Sequence, residues 1–334
     1  MTACTADDIA STEEPMDNPV NFTINMRGGA TRAFTTYDNY WKDDTHIAIC
    51  EGNTVYDYKT LTESSTSGAR VSLTPNSATT GNAFFWTPTD ASRTFSAWYP
   101  YATSAPSSGV VDEDQSTMSA GAYDILYAPA VTVINQVGRA SKESVNLDFY
   151  HQMCRIVVTV NSSATKGSKP VTDIKMGKGT TGNNNGNMAI SRAITELGVT
   201  GSESTGTPTK WEDETKLTKN KTITMRNMSG EDACTTHFYT FECVIPPQSL
   251  AATEVLFQIT TTDANNSANN RTSNYVPQDM FTDAPNFQAG YQYNYSITLS
   301  KSGAVNISTV QIYDWSSESI PGQNATIPDA SYEI

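Results

Sequence analysis

Near the C-terminal end, Tyr291, Tyr293, Tyr295, Ile297 and Leu299 alternate without a break with Gln292, Asn294, Ser296 and Thr298. This pattern restricts the chain more than any other. A helix would scatter those five apolar side chains around its axis, whereas a strand buried on one side gathers them on one face. The register is fixed as well, because a one-residue slip would expose the whole apolar set. A sheet must therefore exist to receive this strand. Ser302-Gly303 then turns the chain into a second run, Val305–Trp315, which the spacing predicts as its hairpin partner.

The rest of the sequence fits that demand. Of 334 residues, 37% are hydrophobic and 17% charged, and the polar remainder is rich in Thr, Ser and Asn. β-Branched and aromatic side chains suit a pleated surface, and Asn, Gly and Ser supply turns. Short apolar runs recur between polar loops: Ile47–Cys50, Val55–Tyr58, Val71–Leu73, Ala83–Trp86, Thr94–Tyr99 and Ile125–Tyr127. This rhythm belongs to a sandwich or barrel. After a polar stretch from Gln136 to Ser144, Val145, Leu147 and Phe149 share a face, followed by Cys154–Val160, Ile223–Met225, Phe238–Ile245 and Val255–Ile259. The expected class is all-β, with two β-sandwich domains in tandem. The one helix candidate of any size spans Met188–Leu197.

The first thirty-two residues form a unit of their own. Cys4 is followed by an acidic run (Asp7, Asp8, Glu13, Glu14, Asp17), then by a strand in which Val20, Phe22, Ile24 and Met26 alternate with Asn21, Thr23 and Asn25, then by Arg27 and Arg32. A trypsin-like protease could remove that strand. A removable edge strand leaves a groove, and a groove shaped for one strand accepts another. Met1-Thr2-Ala3-Cys4 is either a chance tetrapeptide behind a start methionine or the end of a bacterial lipoprotein cleavage box. On the second reading, Cys4 carries lipid and tethers an exported chain to a membrane. The acidic stretch behind it resembles the surface-export signals of Bacteroidetes lipoproteins.

Charge and motif content exclude several functions. The net charge is -14, and both halves are acidic, so a phosphate backbone would be repelled and nucleic acid is not an expected partner. No apolar run approaches the roughly 20 residues that span a bilayer. The five cysteines include no Cys-x-x-Cys spacing. Setting Cys4 aside, Cys50, Cys154, Cys234 and Cys243 are expected as buried free thiols, with one disulfide as the alternative. Gly177-Lys-Gly179-Thr-Thr-Gly182 spells a dinucleotide fingerprint, but it runs into an Asn-rich loop instead of a helix, so no phosphate meets a helix N-terminus. The three histidines, His46, His151 and His237, form neither a zinc motif nor a nucleophile arrangement, and His151 is expected to be structural. Asp112-Glu113-Asp114 alternate in direction along an extended chain and are expected as a solvated loop, not a Ca²⁺ site. No enzyme, cofactor or metal is expected.

Several pieces in order carry a resemblance. They are Ala30-Thr-Arg32-Ala33, Phe95-Ser-Ala-Trp98-Tyr99-Pro100, Val145-Asn-Leu-Asp-Phe149-Tyr-His151 before Arg155-Ile-Val-Val-Thr-Val160, Ile245-Pro-Pro247-Gln-Ser-Leu250, Phe287-Gln-Ala-Gly290-Tyr-Gln-Tyr293 and Ile312-Tyr-Asp-Trp315. Together they resemble the fimbrillin family of Bacteroidetes over most of the chain. The resemblance implies two transthyretin-like β-sandwich domains, at residues 20–142 and 143–318. A lipoprotein tether at 1–19 and a tail at 319–334 flank them. It also implies a pilus subunit on the outer membrane and cell surface that mediates adhesion, with other pilus subunits and an Arg-specific protease as partners. Lipidation at Cys4, cleavage at Arg27 or Arg32, loss of the strand bearing Val20, Phe22, Ile24 and Met26, and donation of a tail strand through Ala330, Tyr332 and Ile334 are the expected steps. The alternative is a non-polymerising anchor, tip or glycan-binding surface lipoprotein, using exposed aromatics such as Trp41, Trp86 or Trp211 on sugar faces.

Overall fold

The computed structural model describes residues 19–27, 41, 44–61, 70–76, 82–87, 89–117, 120–135, 143–162, 170–178, 186–201, 206–229, 237–263, 266–277, 285–299, 305–315 and 324–325. Among them are strands and short 3-10 turns but no α-helix. The chain is all-β, as its alternating patterns require.

Seven strands of the first half close into a barrel: β1 (Phe22–Met26), β2 (His46–Glu51), β3 (Thr54–Thr60), β4 (Val71–Pro75), β5 (Ser92–Tyr99), the short β6 (Ser108–Val110) being passed over, then β7 (Leu126–Ile134) and β8 (Val145–His151). Their order around the barrel is β1-β4-β3-β2-β5-β7-β8. Closure is made by β1, which runs antiparallel to β4 and parallel to β8, with Phe22 beside Val145 and Met26 beside Phe149. Inward residues of all seven strands share one core, including Phe22, Ile24, Ile47, Ile49, Tyr58, Val71, Phe95, Ala128, Leu147 and Phe149.

The second half continues with β9 (Cys154–Asn161), β10 (Val171–Met176), β11 (Ser191–Glu196), β12 (Lys210–Trp211), β13 (Ile223–Thr224), β14 (Arg226–Asn227), β15 (Phe238–Ile245), β16 (Gln248–Ser249), β17 (Phe257–Thr261), β18 (Arg271–Tyr275), β19 (Asn286–Phe287), β20 (Tyr291–Leu299), β21 (Val305–Asp314) and β22 (Asn324–Ala325). One sheet has the order β14-β15-β9-β20-β21-β22 and the other β13-β10-β17-β18. Between them lie Ile156, Val158, Phe241, Tyr293, Tyr295 and Ile297 from the first and Ile174, Met176, Phe257 and Ile259 from the second. Phe257 meets Tyr295 edge-on, 4.9 Å between centroids. The strand that opened the sequence argument is β20, and it pairs with β21 as the hairpin expected, from Tyr291 opposite Asp314 to Leu299 opposite Val305.

Core membership differs in two places from the division at 142 and 143. Val145, Leu147 and Phe149 of β8 belong to the first core, because β8 is held between β1 and β7. In the other direction, Val111, Tyr123 and Ile125 join the second core, carried there by β6 pairing with β11. Only Gln152 and Met153 separate β8 from β9. That link is fully buried and bonded: the Gln152 amide donates to Ile125 O at 2.7 Å, and its side-chain oxygen accepts from Thr209 Oγ1 at 2.5 Å.

Two local expectations are corrected. Residues Met188–Leu197 do not form a helix; Ser191–Glu196 is β11, held by β6 and β12 on its two sides. The run Ala83–Trp86 is not a paired strand. It turns Phe84 and Trp86 inward but contributes one isolated bridge, Phe85 to Pro19.

Candidate functional site

The N-terminal strand occupies a place prepared for it on every side. Val20, Phe22, Ile24 and Met26 are 4%, 1%, 0% and 9% exposed, so the alternation read from the sequence is the alternation of burial. Phe22 is the central anchor. Its ring meets Tyr58 and Phe95 edge-on at 5.1 and 5.0 Å and Phe84 at 6.3 Å, the geometry in which aromatic quadrupoles attract. Phe84 N donates to the Tyr58 hydroxyl at 3.0 Å, which fixes one wall of this pocket. Burial pushes the Tyr58 phenol up to about 12, so it stays neutral and remains part of an apolar wall.

The backbone is bound along both edges. Val20 N donates to Phe84 O at 2.9 Å, Val145 N to Asn21 O at 2.7 Å and Arg27 N to Phe149 O at 2.9 Å. On the outer face, Thr23 Oγ1 donates to Asn146 Oδ1 at 2.6 Å. The expectation of an edge strand is therefore corrected: β1 lies between two neighbours, because β8 returns to it after the rest of the barrel is complete. Taking β1 away would leave two unpaired strand edges facing each other across an apolar slot.

Arg27 ends the strand. Its guanidinium meets Asp148 Oδ2 of β8 at 2.9 Å, and Arg70 approaches the other oxygen of the same carboxylate at 3.4 Å. The Arg27 side chain is 47% exposed. Asp148 has no signature in the sequence, since one acid on the polar face of a strand carries no local signal. Cys4, the acidic run, Arg32 and the tail residues Ala330, Tyr332 and Ile334 lie outside the described residues.

Other candidate chemistry resolves into structure. His151 is buried, its Nδ1 2.6 Å from Asp124 Oδ2 and its ring stacked on Trp315 at 4.4 Å. The Thr200 hydroxyl nearby donates to the His151 carbonyl, not to its ring. Cys50, Cys154 and Cys243 are free thiols, the last two buried, and burial pushes both upward in pKa; Cys234 lies outside the described residues. Of the acidic triplet, Asp112 accepts from Tyr123, Glu113 pairs with Lys221 and Asp114 accepts from Ser116 N. The aromatics proposed for sugar stacking are corrected: Trp41 is 3% and Trp86 5% exposed, both within the first core, and Trp211 packs against the second.

A family model described as fimbrillin-like matches residues 31–315. Its span begins after β1 and closes at the end of β21. Among solved structures, the chain is similar to a candidate cell adhesion protein from Bacteroides uniformis at 17% identity, covering 90% of this chain and 100% of that one, with a TM-score of 0.58. A second candidate cell adhesion protein, from Bacteroides ovatus, is 16% identical over 90% of this chain and 99% of that one, with a TM-score of 0.54. At these identities the likeness is one of fold. None of the curated proteins matches the chain.

Proposed function

Because the chain belongs to the fimbrillin-like family, we propose that it is a subunit of a surface fimbria that polymerises by exchanging β1 for a strand of a neighbouring copy. The observation that carries this reading is the seat of β1. A single strand, followed at once by Arg27, closes the barrel between β4 and β8 among the described residues. Its four apolar side chains represent roughly 6 to 12 kcal/mol of burial at about 1.5 to 3 kcal/mol each, which cleavage gives up and a new strand restores.

The tail supplies a strand of matching pattern. Laid in the direction of β1, Ala330, Tyr332 and Ile334 take the seats of Val20, Phe22 and Ile24, and Tyr332 enters the pocket of Tyr58, Phe84 and Phe95. Small, aromatic and branched side chains then fall on small, aromatic and branched seats. Main-chain bonds to β8 and β4 give affinity, and the aromatic seat gives register. Lipid on Cys4 holds the exported precursor at the outer membrane, the acidic run directs it to the surface, and an Arg-specific protease cuts at Arg27 or Arg32.

Purified full-length protein treated with an Arg-specific protease provides the test. Loss of a fragment containing β1 should be followed by oligomers, and Tyr332→Asp should abolish the oligomers while leaving the cut intact. A clean cut with fragment release and no assembly at high protein concentration would refute the exchange.

A further inference from the structure

The protein carries a compact cleft of mixed charge that strand exchange does not use. It lies where β10, the 220–222 segment, β13 and the loop at Glu113 and Asp114 border an open cleft of about 410 Å³. Three lysines line it: Lys175, Lys178 and Lys221. With Glu113 and Asp114 in the same lining, the cleft sums to +1, three cations less two anions, in a chain of net charge -14. Neutralisation of the lysines is incomplete. Lys221 is paired with Glu113 at 2.6 Å, Lys175 reaches Asp173 only at 3.8 Å, and no ion pair involving Lys178 forms among the described residues.

The frame of the cleft is held by backbone. Met188 and Lys221 exchange both main-chain bonds, at 2.9 and 3.0 Å, while Thr224 N donates to Glu113 O at 2.7 Å and Gln115 N to Thr224 O at 3.0 Å. A Cβ at Gly186 would sit 1.8 Å from Lys221 O, so only glycine allows the two segments to close on each other. The main chain at Lys221 and Thr224 is thus set before any ligand arrives, which lowers the ordering cost of binding.

A second cavity of about 350 Å³ adjoins the first, sharing Asn220 and Lys221 and adding Arg192 and Lys216. The Arg192 guanidinium donates to the carbonyls of Glu212 and Pro247, and Asp213, its carboxyl held low chiefly by bonds from Thr215, lies near enough to be lowered in part by that charge.

We propose that this paired cleft binds a sugar bearing a carboxylate, of the uronic acid type, with the acid group on Lys175 and Lys178 and the ring hydroxyls on the polar rim. The rim selects among anions. Asn220, Thr222 and Thr224 offer an amide and hydroxyls, and Glu113 and Asp114 remain as acceptors for hydroxyl donors. A phosphate dianion brings no donor for those two carboxylates and would meet only their repulsion. A sugar acid presents one carboxylate among several O–H donors, which fits alternating cations and acceptors. The volume is that of a small-ligand site, and the mostly polar lining suits a saccharide over an apolar ligand. The adjoining cavity would receive the next residue of the glycan.

Saturation-transfer NMR and calorimetry on the full chain, with D-glucuronate, D-glucose and acetate as probes, decide the matter. Glucuronate should bind saturably with a millimolar constant, glucose and acetate at least about tenfold more weakly, and Lys175→Gln with Lys178→Gln should weaken glucuronate about tenfold. Both lysines are solvent-facing, and an unchanged melting curve would show the variant folded. Equal binding of acetate would reduce the cleft to an ordinary anion site and overturn the proposal. So would equal binding of glucose, no saturable binding of glucuronate, or full affinity in the double variant. None of these outcomes depends on whether the protein polymerises.

Discussion

Phe22→Ala isolates the seat of β1 from the rest of the molecule. Phe22 is 1% exposed and packs on Tyr58, Phe84 and Phe95, so truncation removes a buried ring and leaves a hole in a wall of three aromatics. Such a change costs about 3 to 5 kcal/mol. Since β1 is the first described strand and closes the barrel, the loss falls first on its detachment, and a tenfold change per 1.4 kcal/mol makes the open form roughly 100 to 4,000 times more populated. Native-state hydrogen exchange reads this directly. The Val145 amide is bonded to Asn21 O and the Arg27 amide to Phe149 O, so both exchange when β1 leaves, whereas the amides of β9 are held by the second sheet. Protection at Val145 should fall by about that factor with β9 unchanged, and Phe22→Leu should fall much less. Equal loss at Val145 and at Val158 would mean that β1 comes away only with global unfolding, which would refute the separable seat. No loss at either would refute its energetic importance.

Three further outcomes follow from particular contacts. Asp148→Asn removes the carboxylate that holds Arg27, a pair exposed enough to be worth under about 1 kcal/mol; cleavage after Arg27, followed by mass spectrometry, should quicken about two- to fivefold with the melting temperature unmoved. Glu242 is 1% exposed and holds Arg155 at 2.7 Å and Arg226 at 3.4 Å, so Glu242→Ala strands buried guanidinium charge and should lower stability in urea by about 3 to 5 kcal/mol. Burial pushes the Tyr58 phenol up to about 12 and also raises Tyr293 and Tyr295, while an unfolded phenol ionises near 10. Their contribution is therefore whole below pH about 10 and is lost as pH climbs toward the folded value. Phenolate absorbance should rise in two steps, the second coinciding with loss of near-UV circular dichroism; a single step near 10 in a still-folded protein would contradict it.

Burial was legible in the sequence wherever a strand has one wet face. Phe22, Ile24, Leu147, Phe149, Tyr293 and Tyr295 all point where their alternation says, because period two is a local property. Partnership is not local. β8 reads equally well as the start of the second half or the end of the first, and only its pairing with β1 and β7 decides. Whether β1 is an edge is equally invisible, since its partners come from far along the chain, Val71 of β4 opposite Ile24 and Val145 of β8 opposite Phe22. The run Met188–Leu197 has helix formers and apolar spacing, but β6, far back in the chain, offers it a ladder and tertiary pairing overrides propensity. Trp41 and Trp86 sit in polar text and still go inward, to Phe149 and Tyr99 in the first case and beneath Arg93 in the second. The cleft gave no signal, because Lys175 and Lys178 meet Lys221, Glu113 and Asp114 only in the fold.

The two-residue passage from β8 to β9 has a mechanical consequence. A strand seated in the place of β1 lies alongside β8, and β8 runs through Gln152 and Met153 into β9, between β15 and β20 in the second sheet. Tension entering the subunit along that seat is handed on within one stretch of backbone, without crossing a loop. Ladder bonds stand across the direction of pull, so they share the load as a group instead of parting one after another. A fibre built from such units would resist stretching far better than peeling.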